Sequence, residues 1–100
     1  MTRYFIEARA ADGIRYMAER DALNWDLKST LRDLFDGQVV HPVAVYRGDF
    51  TSKTLIDCSE EIANDLVRLA HAEMVTPPRE VVAFIEEHAG IDAAVVVSLC

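Results

Sequence analysis

Two runs of strictly alternating side chains, joined by Ala10-Ala11-Asp12-Gly13, constrain this fold more than anything else in the chain. Tyr4, Ile6 and Ala8 alternate with Phe5, Glu7 and Arg9. After the turn, Ile14, Tyr16 and Ala18 alternate with Arg15, Met17 and Glu19. A period of two with one apolar set is the signature of a strand with one buried face, and two such runs across a turn make a β-hairpin. The register follows from face matching. A two-residue loop at Asp12-Gly13 pairs Arg9 with Tyr16 and mixes the faces. A three-residue loop, Ala11-Asp12-Gly13, pairs Ala8 with Tyr16 and Ile6 with Ala18, and puts glycine where a left-handed residue is needed. The cost is Arg9 opposite Arg15, partly offset if Glu7 reaches across diagonally.

The rest of the chain reads as further short elements. Leu27, Leu31, Leu34 and Phe35 recur at helical spacing, with Asn24 or Asp26 as the cap and Gly37 as the stop. Trp25 sits at the helix entrance, where packing is the expected role. Val39 to Arg47 reads as a third strand. Pro42 lacks a donor, so this strand lies at an edge or begins after the proline. Gly48-Asp49 then starts a turn into a fourth strand, Thr54-Leu55-Ile56. The next helix is capped by Asp57 or Ser59, with Asp57 and Glu60 at capping-box spacing. Its core face is Ile62, Leu66, Leu69 and Ala70, with Val67 beside it. Thr76-Pro77-Pro78 opens a last helix, with threonine as the cap. Val81, Val82, Phe84 and Ile85 form its apolar side, and His88 and Gly90 signal its end. For Ile91 to Cys100, three readings stay open: a fifth strand, a short helix, or an apolar tail that docks on a second copy. The expected fold class is α+β, a small antiparallel sheet packed against helices in the order β-β-α-β-β-α-α. Residues 1–100 form a single compact domain, with an apolar fraction of 51%.

Charge is distributed unevenly along this order. Through Ile56, eight acids balance eight bases. From Asp57 onward nine acids face only Arg68 and Arg79, so this part carries the whole net charge of −7. Such a field steers encounter with a basic partner and repels nucleic acid. Direct nucleic-acid binding is therefore not expected. The amino-terminal residues lack the apolar run of a signal peptide, and Ala93 to Leu99 is too short to span a bilayer. Cys58 and Cys100 are expected to be free thiols, and the chain reads as cytoplasmic.

No residue pattern names a reaction. The histidines His41, His71 and His88 form no HxxxH pair, and neither cysteine lies in a CxxC. A site assembled in space from Cys58, His71 and a carboxylate carries little weight beside ordinary surface histidines. At the start of a helix a thiol is activated, but Asp57, Glu60 and Glu61 around Cys58 act the other way. Glu60 and Glu61 suit the positive end of their helix, whereas Glu86 and Glu87 oppose the dipole of theirs. That misfit points to a use outside the chain, against the commoner reading of a solvated face. Phe5 and Met17 fall on the hairpin face opposite Tyr4, Ile6 and Ala8. Both faces of the hairpin are therefore expected to be covered in part, by the C-terminal segment or by a partner.

In whole-chain layout, from Arg3-Tyr4-Phe5-Ile6-Glu7 through the acidic helices, the chain resembles small acidic proteins of phages and mobile elements, anti-CRISPR proteins among them. The resemblance implies occlusion: an acidic face fills a nucleic-acid groove or a subunit-docking site on a defence complex. It transfers no functional residue. The charge placement independently allows the same mechanism. The expected protein is a non-enzymatic inhibitor without cofactor or metal that binds a protein partner with a basic surface. Its contact residues are Glu61, Asp65, Glu73, Glu86 and Glu87, with Phe5, Met17, Trp25 and Phe50 as apolar anchors. The alternative is a structural or regulatory homodimer module joined through the hairpin face or residues 93–99.

Overall fold

The computed structural model describes residues 2–18, 25–49, 51–90 and 92. Seven elements follow in order: β1 (Thr2–Arg9), β2 (Arg15–Met17), α1 (Leu27–Phe35), β3 (Pro42–Asp49), β4 (Thr54–Asp57), α2 (Ser59–Glu73) and α3 (Arg79–Ala89). The four strands form one antiparallel sheet in the order β2-β1-β3-β4. This is the α+β class and the element order that the apolar periodicities predict.

The hairpin adopts the three-residue loop. Ala8 faces Tyr16, the Ala18 amide donates to the Ile6 carbonyl at 2.8 Å, and Gly13 has φ +88. Arg9 does face Arg15. Glu7 makes no ion pair with either arginine; its carboxylate accepts from the Tyr46 hydroxyl at 3.5 Å.

Other boundaries differ from expectation for local physical reasons. β3 starts at Pro42 rather than Val39, and it lies inside the sheet rather than at an edge. Proline as the first strand residue removes no ladder bond, and His41 before it has left-handed φ +49, outside strand geometry. Gly48 and Asp49 stay in the strand. The turn is Thr51–Lys53, where the Asp49 carboxylate accepts the Thr51 amide at 2.9 Å. Phe50 lies outside the described residues, as do Asn24 and residues 93–100.

Of the two candidate caps for α1 only Asp26 is described, and it takes the role by accepting the Ser29 amide at 3.1 Å. Cys58 is the N-cap of α2, without a side-chain bond. The Asp57 carboxylate accepts the Ser59 amide at 2.9 Å and hydroxyl at 2.6 Å, so it does not form the capping box with Glu60. In α3 the cap is Pro78 rather than Thr76, since proline in extended geometry leads directly into the first turn.

The helices cover one face of the sheet. Ile6, Ala8 and Val45 of the strands join Leu34, Phe35, Ile62, Ala63, Leu66, Ala70, Val81, Phe84 and Ile85 in a single buried core. Leu31, Leu69, Val67 and Val82 pack at its margin, whereas Leu27, the first residue of the α1 stripe, is exposed. Beyond β4, the open edge of β3 is closed by side chains. The Ser59 hydroxyl accepts the Val45 amide at 2.9 Å, and His88 Nε2–H donates to the Val43 carbonyl at 2.7 Å. These contacts satisfy a strand edge that would otherwise be free to pair with another chain.

Candidate functional site

The alternation that buries Ile6 and Val45 fixes what the other face of the sheet carries. Register places Phe5 opposite Tyr46, Glu7 between Met17 and Ala44, and Gly48 between Arg3 and Leu55. No described helix packs there. Phe5 and Met17 line a groove of about 340 Å³ with Gly48, Asp49, Lys53, Thr54 and Leu55. Met17 is 48% exposed and Leu55 60% exposed. The groove depends on a residue without a side chain: a Cβ built on Gly48 would stand 3.0 Å from Phe5 Cε2. The Phe5 ring therefore lies over Gly48. On its other side it meets Trp25 edge-on, with ring centroids 5.2 Å apart at 60°. The Arg3 guanidinium covers Trp25 at 5.2 Å from the ring centroid. Trp25 is thus a packed member of this face, as its position before α1 suggests. Burial, then the charges of Glu7 and Asp57, push the Tyr46 hydroxyl above its ordinary range.

The acids occupy the other side of the sheet, on the helices. Three of the five are already used within the chain. Glu61 pairs with Arg47 at 3.3 Å, Asp65 pairs with Arg68, and Glu73 pairs with Arg32, which also meets Asp36 at 3.2 Å. Glu73 bridges α2 to α1 and is not on the same face of α2 as Glu61 and Asp65. Twelve residues at about 100° each turn it roughly a third of a circle from Glu61. Glu86 and Glu87 are exposed on α3. The structure brings Phe5 and Met17 together, and separates both from the acids by the thickness of the sheet.

Cys58 and His71 do not form a site. They stand at opposite ends of α2, about 20 Å apart at 1.5 Å per residue. Cys58 is buried, and burial pushes its thiol up to about 11, with Glu61 and Asp57 adding to the effect and Arg47 opposing it. That thiol is inert at neutral pH. Among the described residues, no three histidine, cysteine or carboxylate side chains converge as a metal site. No described helix is long and apolar enough to cross a membrane.

Leu55, Gly48 and Tyr46 belong to the open face but escaped the sequence reading. Their place there depends on the long-range pairing of β3 with β1 and β4, which periodicity within one element does not specify. The signal available in the sequence was the matched alternation of Ala44, Tyr46 and Gly48 against Val45 and Arg47. Comparison with known proteins adds no identity: no family model, curated protein or solved structure matches the chain.

Proposed function

We propose that this domain is a non-enzymatic inhibitor that binds a protein partner and occludes a basic or nucleic-acid-binding site on it, in the manner of anti-CRISPR proteins. The observation that carries this reading is the pairing state of the acids. Glu61, Asp65 and Glu73 are held by Arg47, Arg68 and Arg32, while Glu86 and Glu87 project from α3 where the helix dipole disfavours them. On this reading the two acids meet a cation supplied by the partner. The steering surface is therefore centred on α3 and the net charge of −7, in a cytoplasmic setting.

The test is capture of a host complex by immobilised protein at low and high salt, followed by addition of that complex's own nucleic acid. Salt-sensitive capture that nucleic acid displaces supports occlusion. Capture indifferent to both refutes it. The homodimer reading has its own observation, the groove around Met17 and Leu55, which no described helix covers. Light scattering on the pure protein separates the two: a mass of 11.2 kDa leaves the groove to another partner, and twice that value favours self-association.

A further inference from the structure

Among the described residues, the outer edge of β2 combines unpaired backbone groups with an unneutralised charge. The Ala10 amide donates to the Ile14 carbonyl, and the Ala18 amide to the Ile6 carbonyl, both at 2.8 Å. These are hydrogen-bonded pairs of the hairpin. The alternation of an antiparallel ladder then makes Arg9–Arg15 and Glu7–Met17 the non-hydrogen-bonded pairs. The N–H and C=O of Arg15 and Met17 consequently point away from β1, out of the sheet. Arg9 behaves as this geometry requires, turning its amide the other way to the His41 carbonyl at 3.1 Å.

Side chains at a non-hydrogen-bonded pair stand closest, with Cα atoms about 4.5 Å apart. Arg9 and Arg15 thus lie side by side on the helix-free face. Both are exposed, and neither has an ion-pair partner among the described residues. Like charges placed directly opposite destabilise a hairpin. On the reverse side of β2, Ile14 and Tyr16 are 64% and 46% exposed.

We infer that this edge accepts an extended segment of a partner protein whose side chains alternate between acidic and apolar. The segment adds a strand next to β2 and bonds to the outward groups of Arg15 and Met17. Its acid meets the Arg9–Arg15 pair, and its neighbouring apolar residues cover Ile14 and Tyr16. Two other occupants fit less well. A second copy pairing through its own β2 would gather four guanidiniums. A nucleic-acid strand would satisfy the arginines but leave the outward amides and Ile14 unmatched. The site is independent of the acidic helix surface and takes a segment of the opposite sign.

The experiment is a titration of the 15N-labelled protein with an octapeptide in which glutamate alternates with valine or threonine. The same peptide with lysine for glutamate is the comparison. We expect amide shifts centred on Arg9 and Ile14–Met17 with the glutamate peptide only. Arg15→Glu should weaken binding at least about tenfold. Met17→Pro should also weaken it, by removing one outward donor while keeping the hairpin's own bonds. Circular dichroism checks that both variants remain folded. Equal binding of the two peptides, shifts centred on the Phe5–Leu55 groove or on α3, or no shift at all would overturn the proposal. So would an oligothymidylate that shifts the β2 amides more strongly than the peptide, or doubling of mass with β2 shifts in the absence of peptide.

Discussion

Gly48 and Ser59 show how single positions set the two faces of the sheet. Gly48 has ordinary strand geometry, so its importance is space rather than backbone freedom. The Phe5 ring occupies the volume that a Cβ would need. Gly48→Ala should lift the ring off the strand, loosen its contact with Trp25, and cost about 1–3 kcal/mol as overpacking. A shift in Trp25 fluorescence together with a lower urea midpoint would confirm this; an unchanged spectrum would mean that Phe5 has room to turn away. Ser59, only 2% exposed, satisfies the Val45 amide and donates to Asp57. Ser59→Ala leaves that amide without its partner and should cost about 1–3 kcal/mol. The Ser59 hydroxyl and amide hold the Asp57 carboxyl below its ordinary value of 3.8. The folded state therefore binds this proton less readily than the unfolded state. The associated stability is present above about pH 4 and is lost as pH falls through the lowered value. Urea midpoints of wild type and Asp57→Asn, measured from pH 7 to pH 3, should differ most at neutral pH and converge in acid.

Elements in this chain are defined by their ends as much as by their apolar stripes. The β1–β2 hairpin is closed by Gly13 at φ +88, a conformation that a β-branched residue resists. Gly13→Val should lower stability by about 1–3 kcal/mol, read by thermal melting, while leaving the helices in place. A Tm equal to wild type would mean the loop can rearrange without loss of register. The same logic explains where boundary expectations went astray. Asp57, Ser59 and Thr76 all belong to the residue types that cap helices. Asp57 bonds locally to Ser59 two residues on, whereas a tertiary contact decides the partner of Ser59 itself. Ser59 is turned inward to Val45, so its hydroxyl closes a strand edge instead of a helix end.

At the scale of the whole molecule, the acidic and the apolar candidate contact residues lie on different layers. Acids gather on the helix layer, while Phe5, Trp25, Met17 and Leu55 lie on the open sheet face. If α3 steers a basic partner, Glu86→Lys with Glu87→Lys should slow association and flatten its salt dependence, with little change in dissociation. The fold should be unaffected, because both residues are exposed. Reversal of Glu61 and Asp65 is a poorer probe, since it would set lysines against Arg47 and Arg68. Stopped-flow rates at two ionic strengths make the measurement. Equal slowing per unit of charge by Glu7→Lys, which changes the net charge half as much, would assign the effect to net charge rather than to α3. With −7 overall, the wild type should also give no mobility shift with DNA or RNA at physiological salt.

The α+β class, the element order and the hairpin register were all legible in the sequence, because each depends on local periodicity and on a glycine a few residues away. Ile6, Ala8, Leu34, Ile62, Leu66, Val81, Phe84 and Ile85 form the core that their spacing predicts. The interior position of β3, the pairing of Glu61 and of Glu73, and the groove over Gly48 were decided by the tertiary structure alone. Each requires residues far apart in sequence to meet: Phe5 with Gly48, Arg47 with Glu61, and Arg32 with Glu73. Periodicity tells which face of an element is buried, but not which element lies beside it. Charge counts likewise record how many acids the chain carries, and only the folded arrangement shows which of them its own arginines already neutralise.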